Sequence, residues 1–137
     1  VHYRKRSYYP SEELVQKDTP SVYGLTKGFG EDICSYFCRW FGMNIIALRI
    51  TGPRNDQDWK KEIKDRKDKN ADGSRLWITH EKDLANAYLA ALKFVQEGNS
   101  RFDSVFIAGD PENKEHNLSK AIHLLKWSPE MNPKDYR

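Results

Sequence analysis

Tyr23 and Lys27 lie four residues apart within PSVYGLTKGFGEDI, residues 20–33. On a helix that spacing puts both side chains on one face, one turn apart. A free phenol, with a pKa of about 10, is a poor base at neutral pH, and a neighbouring ammonium stabilises its phenolate. Such a pair can take a proton from a hydroxyl while hydride leaves for a nicotinamide. The pattern is short. With 7 tyrosines in the chain, about one chance match is expected, so context decides its weight. An exposed helical tyrosine beside a surface lysine is the plain alternative.

The elements that must hold this pair can be read from periodicity. Residues 1–18 are polar and aromatic, with Pro10 breaking any regular element, and read as a connecting loop. Thr19 offers an N-cap and Pro20 suits a first helical turn. From there Val22, Leu25, Phe29, Ile33, Phe37 and Trp40 recur at three and four, predicting a helix of about six turns that stops at Gly42. NIIALRI (44–50) is apolar on both faces and suits a central strand of a parallel sheet with helices on either side. TGPRND (51–56) reads as a turn. Residues 57–74 are charged, with one short helix expected around Trp59 to Lys64. RLWIT (75–79) reads as extended. A second helix is predicted over 81–98, with Leu84, Ala87, Tyr88, Ala91, Leu92 and Val95 on one face. SVFIAG (104–109) is a second buried strand. Residues 117–127 form a third helix, closed by Ser128 and Pro129. A helix leading into a parallel-type strand is the second half of a βαβ crossover, and two strands are too few for an independent sheet. The order therefore points to a piece of a larger α/β domain. The chain starts on Val1 rather than Met, which agrees with sequence upstream.

Composition narrows the function. With 38% hydrophobic and 31% charged residues, the core is modest and the surface heavily solvated. No run of eighteen apolar residues suggests a membrane helix, and no N-terminal stretch resembles a signal peptide. A net charge of +3 is small against 23 basic and 20 acidic side chains. In KKEIKDRKDK (60–69) the signs alternate, which gives a weak field and argues against nucleic acid as a partner. Cys34 and Cys38 share a helix face at a spacing poorly suited to a disulfide, and no histidine is near enough in sequence to complete a metal site. A reducing, cytoplasmic setting and no metal are expected.

Several ordered stretches carry a family resemblance across most of the chain. TPSVYGLTKGFGED is followed by RWFGMNIIALRITGPR, then LWITHEKDLANAYLAAL, FIAGD and LLKWSP. Together they resemble the C-terminal portion of the extended short-chain dehydrogenase/reductase superfamily, the NAD-dependent epimerase/dehydratase group. The wording around Tyr23 and the compact region after TGP look most like the uronate dehydrogenase-like branch. Sugar-nucleotide epimerases and dehydratases are close competitors. The implied fold is α/β, the C-terminal part of a Rossmann-like doubly wound parallel sheet with a small substrate-binding region. Over residues 1–137 this divides into a loop (1–18), a catalytic helix and strand (19–56), and substrate-side and closing elements (57–137).

The resemblance implies that Tyr23 is the catalytic acid/base, and that Lys27 holds the nicotinamide ribose and assists the tyrosine. Ile50, Thr51 and Gly52 match where the family backbone passes the nicotinamide of NAD or NADP. Arg54 is a candidate for a substrate carboxylate or phosphate, beside the alternative of a solvated loop arginine. Asp83 could orient the small domain or simply cap a helix. The substrate would be a sugar or nucleotide-sugar, and the helix over 20–41 would pair in a homodimer. Two family features lie outside this reading. The third catalytic group, a Ser or Thr, falls at or just beyond Val1, since Ser7 and Ser11 are too close to Tyr23. The three glycines of GLTKGFG (24–30) sit within the predicted helix and do not follow a strand, so they do not form a phosphate loop. The chain alone is expected to be inactive. The competing reading is a free-standing remnant that serves association through the Phe29, Ile33, Tyr36, Phe37 and Trp40 stripe.

Overall fold

The computed structural model describes residues 21–68, 78–98, 101–113 and 116–136. The loop over 1–18, the Thr19 cap, Pro20, and residues 75–77 of the expected extended piece lie outside these. Helix α1 spans Val22–Phe41. Ser21 caps it, with extended backbone and a side-chain oxygen that accepts the Gly24 N–H at 3.1 Å. The helix thus starts two residues later than Pro20, because a serine stands where its hydroxyl reaches an orphan donor of the first turn. Gly42 closes the helix at φ 64°, and its N–H donates to the Cys38 carbonyl. That left-handed stop was expected from the sequence.

After Gly42 the chain reverses into strand β1 (Ile45–Ile50), which pairs in parallel with β4 (Phe102–Ile107). Both strands and their parallel sense were legible in the apolar runs. Side chains alternate along β1. Ile46, Leu48 and Ile50 pack with Ala87, Val105, Ile107, Leu118, Ala121, Leu125 and Trp127 in the main core. Arg49 points the other way, to α1. The two strands therefore lie between α1 on one face and helices α3 (Glu81–Gln96) and α4 (Ser119–Leu125) on the other.

Between β1 and β4 the structure departs from the sequence reading. The expected turn at 51–56 contains β2 (Pro53–Arg54), which pairs in parallel with β3 (Thr79–His80). The charged stretch forms a full helix, α2 (Asp56–Asp68), rather than a short one around Trp59 to Lys64. Its N-terminus is well provided for. Asn55 Oδ1 accepts from the Asp58 N–H at 2.8 Å, and Glu81 accepts from the Asp56 N–H at 3.1 Å. Trp59 and Ile63, one turn apart, anchor it in a second small core with Ile78 and Met131.

Helices α1 and α3 also present faces that differ from their most hydrophobic stripes. In α1 the buried residues are Gly28 and Cys38, with Gly24, Glu31, Cys34 and Ser35 half-buried around them. At about 100° per residue these share one side, and Val22, Leu25, Phe29, Ile33 and Trp40 lie opposite. The opposite stripe stays exposed, with Trp40 at 67%. In α3 the buried line is Asp83, Ala87, Ala91 and Phe94. Tyr88 and Leu92, expected inside, stand more than half exposed beside Ile46 and Leu48 in a shallow apolar groove. In α1 small residues lie against the sheet and bulky ones stand off it, and in α3 Ala87 and Ala91 do the same, with Phe94 the bulky residue on the buried line. Helix α4 is shorter than the expected 117–127, because Lys126 turns left-handed and Trp127 leaves to bond elsewhere.

Candidate functional site

Tyr23 occupies the first turn of α1 and is 73% exposed. The Lys27 ammonium lies over its ring, 5.2 Å from the centroid, within the range of an attractive cation–aromatic contact. Thr26 donates its hydroxyl to the Tyr23 carbonyl at 2.8 Å, engaging one backbone oxygen of the helix start. The four-residue spacing therefore puts both side chains on one helix face, as expected, with the ammonium over the aromatic ring.

The tie between α1 and the sheet sets where this pair stands. Arg49 Nε donates to Glu31 Oε1 at 2.8 Å, and Nη2 donates to Oε2 at 2.7 Å, with both side chains under one-fifth exposed. Helix and strand run in opposite directions across the short connection at Gly42. Tyr23 precedes Glu31 by about 12 Å of helix rise. Gly52 follows Arg49 by roughly 10 Å of extended chain. The start of α1 and the end of β1 thus lie at the same end of the sheet. In parallel α/β sheets ligands bind outside the carboxyl ends of the strands.

At that end the backbone of Ile50, Thr51 and Gly52 is held firmly. The Thr51 N–H donates to the Ile107 carbonyl at 3.0 Å, and Thr79 donates its N–H to Gly52 at 3.1 Å and its hydroxyl to Thr51 O at 2.7 Å. Gly52 takes φ 41°, a conformation that favours glycine. Arg54 sits just beyond, its Nε on Glu62 at 2.9 Å and Nη1 on its own Pro53 carbonyl at 3.0 Å. Two of its donors are thus spent within the chain.

Asp83 is not the cap of α3. His80 caps α3 through Nδ1, which accepts the Lys82 N–H at 3.0 Å. That leaves Nε2 to carry the proton toward Asp56 Oδ1 at 3.2 Å. Asp83 is 1% exposed and takes the backbone N–H groups of Glu130 and Met131 at 2.9 and 3.2 Å. Its own carbonyl accepts from Trp127 Nε1 at 3.0 Å. Sequence reasoning missed the Glu31–Arg49 bridge as well. Its signal was a lone charge inside an otherwise apolar strand, NIIALRI. Among the described residues, no group of three His, Cys, Asp or Glu is placed to hold a metal ion. Cys34 and Cys38 are free thiols.

No protein-family model matches the sequence, and no curated protein matches it. Solved structures do. A UDP-galactose 4-epimerase matches 85% of this chain at 20% identity with a TM-score of 0.60. Two structures of UDP-glucuronic acid 4-epimerase from Bacillus cereus, one with UDP-glucuronic acid and NAD and one with NAD, each match 97% with a TM-score of 0.64, at 22% and 24% identity. The fold is shared with these UDP-sugar 4-epimerases. It is the Rossmann-like α/β fold expected from the sequence, and the chain spans 50–55% of the length of the structures it matches. The matched proteins belong to the sugar-nucleotide epimerases, which competed in the sequence with the uronate dehydrogenase-like branch.

The exposed Tyr23 ring with the Lys27 ammonium over it, at the start of α1, and Gly52, at the end of β1, thus lie at the same end of the sheet. Among the described residues, no helix is long and apolar enough to cross a membrane.

Proposed function

We propose that this chain is the acid/base-bearing portion of an NAD(P)-dependent enzyme acting on a sugar or nucleotide-sugar, with 4-epimerisation the favoured reaction. The observation that carries this is the Lys27 ammonium over the Tyr23 ring at the sheet end where β1 finishes. It stands in a fold shared with UDP-sugar 4-epimerases. Tyr23 Oη takes the proton from the substrate hydroxyl, and Lys27 would hold the ribose of the cofactor. The nicotinamide, when bound, supplies the hydride acceptor. Ile50, Thr51 and Gly52 would hold the nicotinamide through their backbone, and Arg54 would offer its remaining donors to a carboxylate or phosphate on the substrate. The free cysteines agree with a reducing, cytoplasmic setting.

A second reading, association, has its own observation. The outward stripe of α1 from Val22 to Trp40 is exposed along the whole helix, a larger apolar face than a lone domain usually leaves to water. We assign this stripe to a homodimer interface, which is compatible with the enzyme reading and would be the whole function of a degenerate remnant. Tyr23→Phe separates the two. In the full-length polypeptide, supplied with NAD and UDP-glucuronic acid or UDP-galactose, turnover should fall by about 10²–10⁴-fold with NAD affinity retained. Residues 1–137 alone should show no turnover. Unchanged turnover in Tyr23→Phe overturns the assignment of the base.

A further inference from the structure

Tyr23, Lys27 and Glu31 occupy successive turns of one side of α1. Lys27 therefore has two possible partners at a spacing of four, the tyrosine ring before it and the carboxylate after it. A Lys and a Glu four apart on a helix attract one another. Yet Lys27 lies over Tyr23, and Glu31 is turned to the strand, where the fork of Arg49 takes both of its oxygens.

We infer that Arg49 is a positioning residue for the Tyr23/Lys27 pair, because its fork occupies the Glu31 carboxylate and keeps it from drawing the Lys27 ammonium off the tyrosine. An arginine suits this task better than a lysine. Its planar donors match two carboxylate oxygens at once, whereas an ammonium is a point charge that leaves one oxygen open. The location agrees with that role. Arg49 is the charged residue of β1, and the bridge is more than four-fifths shielded from solvent on both sides. There it is screened less than a surface pair. The catalytic meaning of this arrangement rests on the reading of Tyr23 and Lys27 as the acid/base pair, but its test does not.

The test follows Lys27 directly in the 137-residue chain. With ¹³C-labelled lysine, the Cε protons of Lys27 should be displaced upfield by the Tyr23 ring. The signal is assigned by its loss in Tyr23→Leu. Lys60, over the Tyr136 ring, serves as an internal reference that should not move. The displacement should persist in Glu31→Gln, vanish in Arg49→Gln as Glu31 recruits Lys27, and return in the double variant Glu31→Gln/Arg49→Gln. A bridge that only braced the fold would not be rescued in this way. Persistence of the displacement in Arg49→Gln, or its continued loss in the double variant, overturns the inference. Should Arg49→Gln fail to fold, Arg49→Lys is expected to reduce the displacement, and an unaltered signal there overturns it equally. A failure of the base assignment shows up separately, as unchanged turnover in Tyr23→Phe.

Discussion

Gly109 packs against Ile78 so closely that a methyl group on Gly109 would overlap the Ile78 carbonyl oxygen. Both groups are backbone and neither can rotate aside. This contact brings the end of β4 onto the chain entering β3, and it explains the glycine in FIAGD. Gly109→Ala should cost about 1–3 kcal/mol as an overpacking change, read as a lower midpoint in thermal unfolding. An unchanged midpoint would mean that the strand ends yield easily.

Asp83 is buried, and its two carboxyl oxygens accept from two backbone donors on the closing segment. Removing it leaves the Glu130 and Met131 N–H groups with no carboxylate to accept them. Asp83→Ala should therefore cost roughly 3 kcal/mol in urea unfolding, and Asp83→Asn less, since its amide keeps one acceptor. Limited proteolysis should cut the Asp83→Ala variant faster beyond Trp127. Equal cleavage of variant and parent would show that the segment is held by something else.

Asp56 links α2 to α3. The hydrogen bond from Lys60, followed by that from His80, holds its carboxyl below the ordinary value of 3.8, against a smaller opposing effect of burial. The same pair raises Lys60 above 10.5. A lowered acid contributes stability above its unfolded pKa and loses it as pH falls through the folded value. A raised base contributes below 10.5 and loses it as pH rises through its folded value. The link is solvent-exposed and its effect small. The stability gap between the parent and Asp56→Asn should be present at pH 6 and narrower at pH 3. A gap that is the same at both values would rule out this coupling.

The outward stripe of α1 gives the association reading a direct check. Phe29→Glu and Trp40→Glu each place a charge at the centre or end of that stripe without touching Gly28 or Cys38. Both should shift the sedimentation of a dimer toward monomer while leaving circular dichroism unchanged. A parent chain that sediments as a monomer at all concentrations removes the proposed interface.

What the sequence revealed depended on the range of the interactions involved. Helix α1 and strands β1 and β4 showed in periodicity because each is defined by its own apolar pattern. Helix α2 did not, since Trp59 and Ile63 are buried anchors set among many charges and its capping is done partly by Glu81, 25 residues away. The pairing of β2 with β3 involves two residues on each side, too few to leave an alternation. Asp83 was legible as a helix-start residue, but its partners lie 47 and 48 residues downstream. Periodicity also marked the bulky side of α1, whereas distance of approach put the small side on the sheet. At the site, the spacing of Tyr23 and Lys27 was legible. The bridge that sets their place was not, because Glu31 and Arg49 sit in different elements.

The Thr79 junction has a consequence for how the chain is made. Its hydroxyl meets Thr51 from 28 residues away, and Thr51 in turn donates to Ile107 across 56. During synthesis α1 and β1 leave the ribosome long before β4 exists, so Ile46, Leu48 and Ile50 wait uncovered. Contacts of such span close late, and a nascent chain in that interval is exposed to sticking to its neighbours. Slowing translation just after residue 60 should therefore lower the soluble yield, and slowing it after residue 110 should not.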